Sequence, residues 1–166
     1  MKKESVIRIA TRASQLALWQ SRFVASKLIA LNPDLRIELI EITTEGDKVL
    51  DMSLSKIGGK GLFIKELEVA LLESRADLAV HSMKDLPNAI SPEFCIASIL
   101  RREDARDVLV TSNGYDLTTL PAGATVGTSS LRRRSQILAL RRDLNIRDLR
   151  GNVTTRLEKQ QSGQYD

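Results

Sequence analysis

Val126-Gly127-Thr128-Ser129-Ser130-Leu131-Arg132-Arg133-Arg134 reads as the end of a strand, a glycine turn, three hydroxyls and the start of a basic helix. Ser129 or Ser130 suits the N-cap, accepting from a free backbone N–H of the first turn. A helix N-terminus presents unpaired N–H donors and a partial positive charge, so it attracts anions. Arginines in that first turn oppose the dipole, and a helix built only for stability seldom places them there. Arg132 and Arg133 carry planar forks that match carboxylate or phosphate. Successive helical residues point ~100° apart, so three arginines in a row cannot share one ligand, and Arg134 is the one assigned to solvent. The same stretch also fits an ordinary capped surface helix with solvated arginines.

Working outward, the strand–turn–helix pattern recurs. Val6 to Thr11 is β-branched and extended, and Ser14 is an N-cap for a helix with Leu16, Trp19, Phe23, Val24, Leu28 and Leu31 at helical spacing. Trp19 and Phe23 lie on the apolar stripe and are assigned to the core. Ile37 to Thr43 is a second strand. Thr44 to Gly61 is a long polar connection with Lys56 and Lys60, and Gly58-Gly59-Lys60-Gly61 fails the P-loop spacing. Leu62 to Arg75 is a helix with Phe63, Leu67, Ala70 and Leu71 on one face and Glu66 and Glu68 on the solvated side. Ala76 to Val80 is a third strand, emptying into His81-Ser82-Met83-Lys84-Asp85-Leu86-Pro87. Phe94 to Leu100, with Cys95 as a small buried hydrophobe, and Asp107 to Thr111 read as further strands. A domain change falls between Ser98 and Arg106. Thr125 to Gly127 and Ile146 to Leu149 are strands, each followed by a helix, the second carrying Arg156 one turn in.

Composition narrows the function classes. The chain has 166 residues, 42% of them hydrophobic, which is enough for a real core. A net charge of +4 favours an acidic partner. Only 4% of residues are aromatic, which leaves few stacking platforms for single-stranded nucleic acid. A single cysteine excludes an internal disulfide, and no His/Cys cluster has metal-ligand spacing. No apolar run spans a membrane and no signal-peptide core is evident, so a soluble cytoplasmic protein is expected.

Arg12, Lys84, Arg132, Arg133, Arg150 and Arg156 each lie at or just after a predicted strand end. Parallel strands would bring such ends to one cleft. That cleft would hold many cations and one prominent carboxylate, Asp85. It suits a ligand with several carboxylates and chemistry that passes through a cation.

Six segments, in order, closely resemble the porphobilinogen deaminase (hydroxymethylbilane synthase) family: Arg8–Ser14, Lys56–Phe63, Lys65–Glu73, Ala79–Asp85, Gly127–Arg133 and Leu149–Arg156. The resemblance implies an α/β fold of two periplasmic-binding-protein-like (type II) domains. Residues 1–99 would be the first, lacking its return strand, and residues 100–166 the incomplete start of the second. The family's third, small α+β domain is absent from these residues. The activity implied is a transferase of haem biosynthesis. It condenses four porphobilinogen units head to tail into hydroxymethylbilane, releases ammonia at each step and primes the chain on a covalent dipyrromethane cofactor.

Residue by residue, the resemblance makes Asp85 the catalytic aspartate. Ser82, Lys84, Thr128, Ser129, Ser130, Arg132 and Arg133 match positions that hold the cofactor's acetate and propionate groups. Arg12, Ser14, Arg150 and Arg156 match positions around the substrate and growing chain, and Lys56 and Lys60 match a mobile loop. No metal is implied, and the expected partner is porphobilinogen, with neither nucleic acid nor membrane, acting on a monomer. Cys95 does not match the cofactor's attachment cysteine, which the family carries beyond residue 166. These residues alone are therefore expected to lack turnover. The alternative reading is a non-catalytic polycarboxylate-binding module of the same fold.

Overall fold

The computed structural model describes residues 5–48 and 63–166. The chain divides into two compact units, Met1–Ile96 and Ala97–Asp166. Both units are mixed α/β with parallel sheets.

In the first unit, β1 (Ser5–Arg12) is the central strand of a three-stranded sheet ordered β2-β1-β3, with β2 at Leu35–Ile42 and β3 at Leu78–Ala79. β1 pairs in parallel with β2 along its whole length, from Ser5 opposite Leu35 to Arg12 opposite Ile42, and with β3 at Ile9 and Ala10. Parallel pairing demands helical crossovers, which α1 (Gln15–Leu31) and α3 (Lys65–Leu72) provide, with a short α2 (Glu45–Lys48) between β2 and α3. Ser14 caps α1 by accepting from the Ala17 N–H, and Asn32 ends it. The fully buried Ala10, Leu67 and Ala70 form the core, with Ala76 nearly so. Arg8 ties β1 to the α3–β3 connection, donating to both Asp77 carboxylate oxygens and to the Ser74 carbonyl.

Three expectations fail in this unit. Trp19 and Phe23 are not core residues. They are 55% and 38% exposed and stack on each other at 5.6 Å. A three-stranded sheet is too narrow to cover the full apolar stripe of a 17-residue helix. Glu66 is not a solvated residue, because its carboxylate accepts the Glu45 backbone N–H at 2.9 Å and its other oxygen is buried. Phe94 to Leu100 is not a strand, and Cys95 is exposed rather than buried. The apolar character of that run suits a strand, yet a strand needs an edge to pair with, and residues 95–100 make no backbone hydrogen bond with the described residues.

In the second unit, β4 (Thr125–Gly127) pairs in parallel with β5 (Asn145–Arg147). α4 (Leu131–Leu140) crosses between them, and α5 (Val153–Gln161) follows β5. Leu120, Ala124, Val126 and Leu144 form its core, with Leu117, Ile137 and Ile146 packed against it. Arg141 closes the edge by donating to the carbonyls of Leu117, Thr118 and Leu120 while its fork holds Asp143. Asp107 to Thr111 is not a strand, for the same want of an edge, and Val108 is 83% exposed. Leu131 and Leu140, expected to carry α4, are 81% and 74% exposed, because only the Ile137 side of the helix meets this two-stranded sheet.

Candidate functional site

In the first unit, the strand order β2-β1-β3 reverses between β1 and β3, which makes the crevice at their carboxyl ends a switch point. In open α/β sheets that crevice is where ligands bind. Arg12 is the last residue of β1, and its guanidinium lies 4.2 Å from the centre of the Phe63 ring. β3 leads through His81 and Ser82 into a single 3₁₀ turn, Met83–Asp85, closed by the Asp85 N–H donating to the Ser82 carbonyl. That turn fixes the Asp85 backbone beside the end of the sheet. Lys84, in the same turn, is exposed, while Asp85 is half-buried. Burial holds the His81 imidazole below its ordinary value near 6.5, with Asp85 opposing the shift and Arg12 adding to it. His81 is therefore within electrostatic reach of both Arg12 and Asp85.

Ser82 exchanges hydrogen bonds with the Gln20 side-chain amide at 3.0 and 3.3 Å, which places α1 over the turn. Neither Gln20 nor the stacking of Phe63 under Arg12 is legible from spacing, since Gln20 is 62 residues from Ser82 in the chain. Ser14, a predicted substrate contact, has its hydroxyl engaged in capping α1. Lys56 and Lys60 lie outside the described residues.

In the second unit, the opening stretch folds as a strand, a hydroxyl turn and a helix. Thr128 is buried, and its backbone N–H donates to the Arg147 carbonyl. Ser129 donates to the Leu149 carbonyl, locking the turn after β4 to the turn after β5. Ser130 is the N-cap of α4, its hydroxyl accepting from the Arg133 N–H. Arg132 and Arg133 converge on one carboxylate, Asp107. Arg132 Nη1 donates to Oδ2 at 2.7 Å and Nη2 to Oδ1 at 3.1 Å, while Arg133 Nη2 donates to Oδ1 at 2.8 Å. Two adjacent arginines thus reach one anion, Arg132 bridging both oxygens and Arg133 gripping Oδ1. The sequence reading assigns Asp107 only to the start of a strand, and nothing at a separation of 25 residues signals this contact.

Beyond α4, the Gly151 backbone at φ +111° turns the chain into α5, and Arg156 donates to the Gly151 carbonyl. Burial lowers the Arg156 pKa from its usual value, and the neighbouring Arg133 and Arg150 lower it further. Arg133 and Arg156 also share the wall of a cleft of about 160 Å³ that includes Val108, Gly127 and Leu149. Three like charges held together are electrostatically unfavourable unless an anion joins them. The second unit therefore groups Thr128, Ser129, Ser130, Arg132, Arg133, Arg150 and Arg156, and the first groups Arg12, Ser82, Lys84 and Asp85. Among the described residues no His, Cys, Asp and Glu cluster is suited to a metal, and no helix is long and apolar enough to cross a membrane.

Comparison with known proteins agrees with this chemistry. A family model described as porphobilinogen deaminase, dipyromethane cofactor binding domain, matches residues 7–166. Porphobilinogen deaminases of two strains of Buchnera aphidicola subsp. Acyrthosiphon pisum, Tuc7 and APS, are each 57% identical over 160 residues. That alignment covers 96% of this chain and 51% of each relative, so the chain spans about half the length of the curated relatives it matches. With strand ends that gather arginines around hydroxyl turns and a carboxylate at the sheet's switch point, the chain belongs to the porphobilinogen deaminase family.

Proposed function

We propose that this chain supplies the catalytic carboxylate and most of the carboxylate-binding arginines of a porphobilinogen deaminase. The enzyme joins porphobilinogen units head to tail into hydroxymethylbilane with loss of ammonia. The observation that carries the reading is Asp85, held by its own 3₁₀ turn at the switch point of the sheet beside Arg12 and His81.

A pyrrole bearing an acetate and a propionate is a dianion. Arginine forks bind such groups bidentately, and charge-assisted bonds are roughly twice as strong as neutral ones. The second-unit cluster fits a dipyrromethane by the chemistry of its donors: Arg132 and Arg133 already grip a carboxylate, and Arg133, Arg150 and Arg156 crowd positive charge. When bound, the dipyrromethane supplies the terminal pyrrole carbon to which the next unit is joined. Thr128, Ser129 and Ser130 would complete the polar contacts of this second-unit cluster, and the resemblance assigns Ser82 and Lys84 of the first unit to the same acetate and propionate groups.

The resemblance assigns Arg12 in the first unit, and Arg150 and Arg156 in the second, to the carboxylates of the substrate and growing chain. Ser14 would act through the cap that sets the start of α1. Departure of ammonia leaves a cation on the substrate. Asp85, fixed before the reaction, offers its negative charge where that cation develops and accepts from the pyrrole N–H. Such preorganised electrostatics is often the largest catalytic contribution.

The two units correspond, in this reading, to a first periplasmic-binding-protein-like domain and the beginning of a second. Cys95, which stands in a run without regular secondary structure, does not match the family's cofactor-anchoring cysteine. The enzyme works as a cytoplasmic monomer without metal, nucleic acid or membrane.

The test is Asp85→Asn in the intact protein, which keeps the shape and removes the charge. Ammonia release from porphobilinogen is expected to fall by about 10² or more, the scale of losing one preorganised electrostatic contact. Near-parental ammonia release would overturn the role of Asp85.

A further inference from the structure

We infer that Asp107 is an affinity-setting place-holder: its carboxylate occupies the Arg132–Arg133 pair until a ligand carboxylate displaces it, so that every carboxylate meets the same threshold there and only one with further contacts overcomes it. The inference rests on the reading of Arg132 and Arg133 as carboxylate holders.

The geometry is that of a bound ligand supplied by the chain itself. Asp107 accepts from Arg132 through both oxygens and from Arg133 Nε and Nη2 at 3.0 and 2.8 Å. These contacts hold its carboxyl well below the usual carboxylate range. Asp107 sits in the run 97–110, which has neither helix nor strand. Releasing its carboxylate to water therefore breaks no backbone ladder, and at 38% exposure the side chain already reaches solvent.

The exchange has a simple consequence. A lone carboxylate that enters gains the bonds that Asp107 gives up, so the net gain is small. A ligand with a second carboxylate also meets Arg156, which lies in the same cleft wall as Arg133 and is crowded by Arg133 and Arg150. Only that ligand gains contacts for which, among the described residues, no carboxylate is in place. Asp107 thus raises the threshold for every carboxylate alike, the contact with Arg156 lets a polycarboxylate overcome it, and Asp107 keeps two first-turn arginines compensated when no ligand is bound.

The test compares acetate with glutarate on the intact protein in its cofactor-free form. Binding is read from the guanidinium resonances of Arg132 and Arg133, for the parent and for Asp107→Asn. Asp107→Asn is expected to tighten acetate by about tenfold, the equivalent of one charge-assisted contact. Glutarate should tighten by the same factor, because it displaces the same carboxylate, so its advantage over acetate stays as it is. Acetate bound no more tightly, or more weakly, by a folded Asp107→Asn would show that Asp107 positions the arginines instead, and would overturn the inference while leaving the carboxylate-holder reading intact. If neither anion moves these resonances in either protein, both fall.

A measurement on the parent alone guards against a variant that does not fold. Saturation with sulfate, which stays charged in acid, is expected to raise the Asp107 carboxyl titration towards the ordinary carboxylate range. An unmoved titration at saturation overturns the inference.

Discussion

His81 shows how a single side chain carries the electrostatics of its site. Burial favours the neutral imidazole, Arg12 adds to that preference and Asp85 opposes it. The folded pKa is therefore lower than the unfolded one, so the unfolded chain binds more protons between the two values. The corresponding stability is fully present above the unfolded value near 6.5 and is lost as pH falls through the folded value. We expect His81→Gln to remove part of the acid-side slope of stability, measured as the urea midpoint against pH below about 6.5. An identical slope in the variant would mean that His81 titrates alike in the folded and unfolded chain. Asp85 belongs to this scale too: its identity as the prominent carboxylate beside the cations is legible in the sequence. That it shares an environment with Arg12, across more than seventy residues of chain, follows only from the pairing of β1 with β3.

At the scale of the element, α4 is a helix whose start is chemically specified and whose faces are not. Ser130 accepts from the Arg133 N–H, and that cap aims the first turn carrying Arg132 and Arg133. Ser130→Ala is expected to cost about 1 kcal/mol of stability and to fray that turn, seen as faster amide exchange at Arg132 and Arg133. Unchanged exchange there would assign the start of α4 to its packing alone. The cap residue was one of two serines the sequence offered. The choice falls to Ser130 because Ser129 is drawn off to the Leu149 carbonyl on the neighbouring turn. A hydrogen bond between turns twenty residues apart has no signature in local spacing. The expected strands at Phe94 to Leu100 and Asp107 to Thr111 fail for a related reason. β-branched and apolar residues favour extended chain, but a strand exists only where an edge accepts it.

At the scale of the whole molecule, each unit has its own small core. Leu67, fully buried between α3 and the sheet, joins Ala10, Ala70 and Ala76. Leu67→Ala should destabilise the first unit by about 2–5 kcal/mol, because so small a cluster cannot refill the cavity. The readout is amide protection in β1, whose loss would locate the cost. Full protection of β1 in that variant would show that the sheet is held by something other than this core. The second unit rests on a cluster of the same size, Leu120, Ala124, Val126 and Leu144.

The sequence by itself determined most of the strand–turn–helix units and the candidate caps at Ser14 and Ser130, because these rest on neighbours within a turn or two of chain, and six motifs taken in order carried the α/β class and the family. Only the tertiary structure decided that β1 lies between β2 and β3, that Trp19, Phe23, Leu131 and Leu140 face outward, that Gln20 holds Ser82 and that Asp107 fills the arginine pair. Which side of an apolar stripe is covered depends on the width of the sheet it meets. Which carboxylate an arginine finds depends on where a distant segment is laid down. Both are properties of packing in space, and the order of residues along the chain constrains them only through the fold.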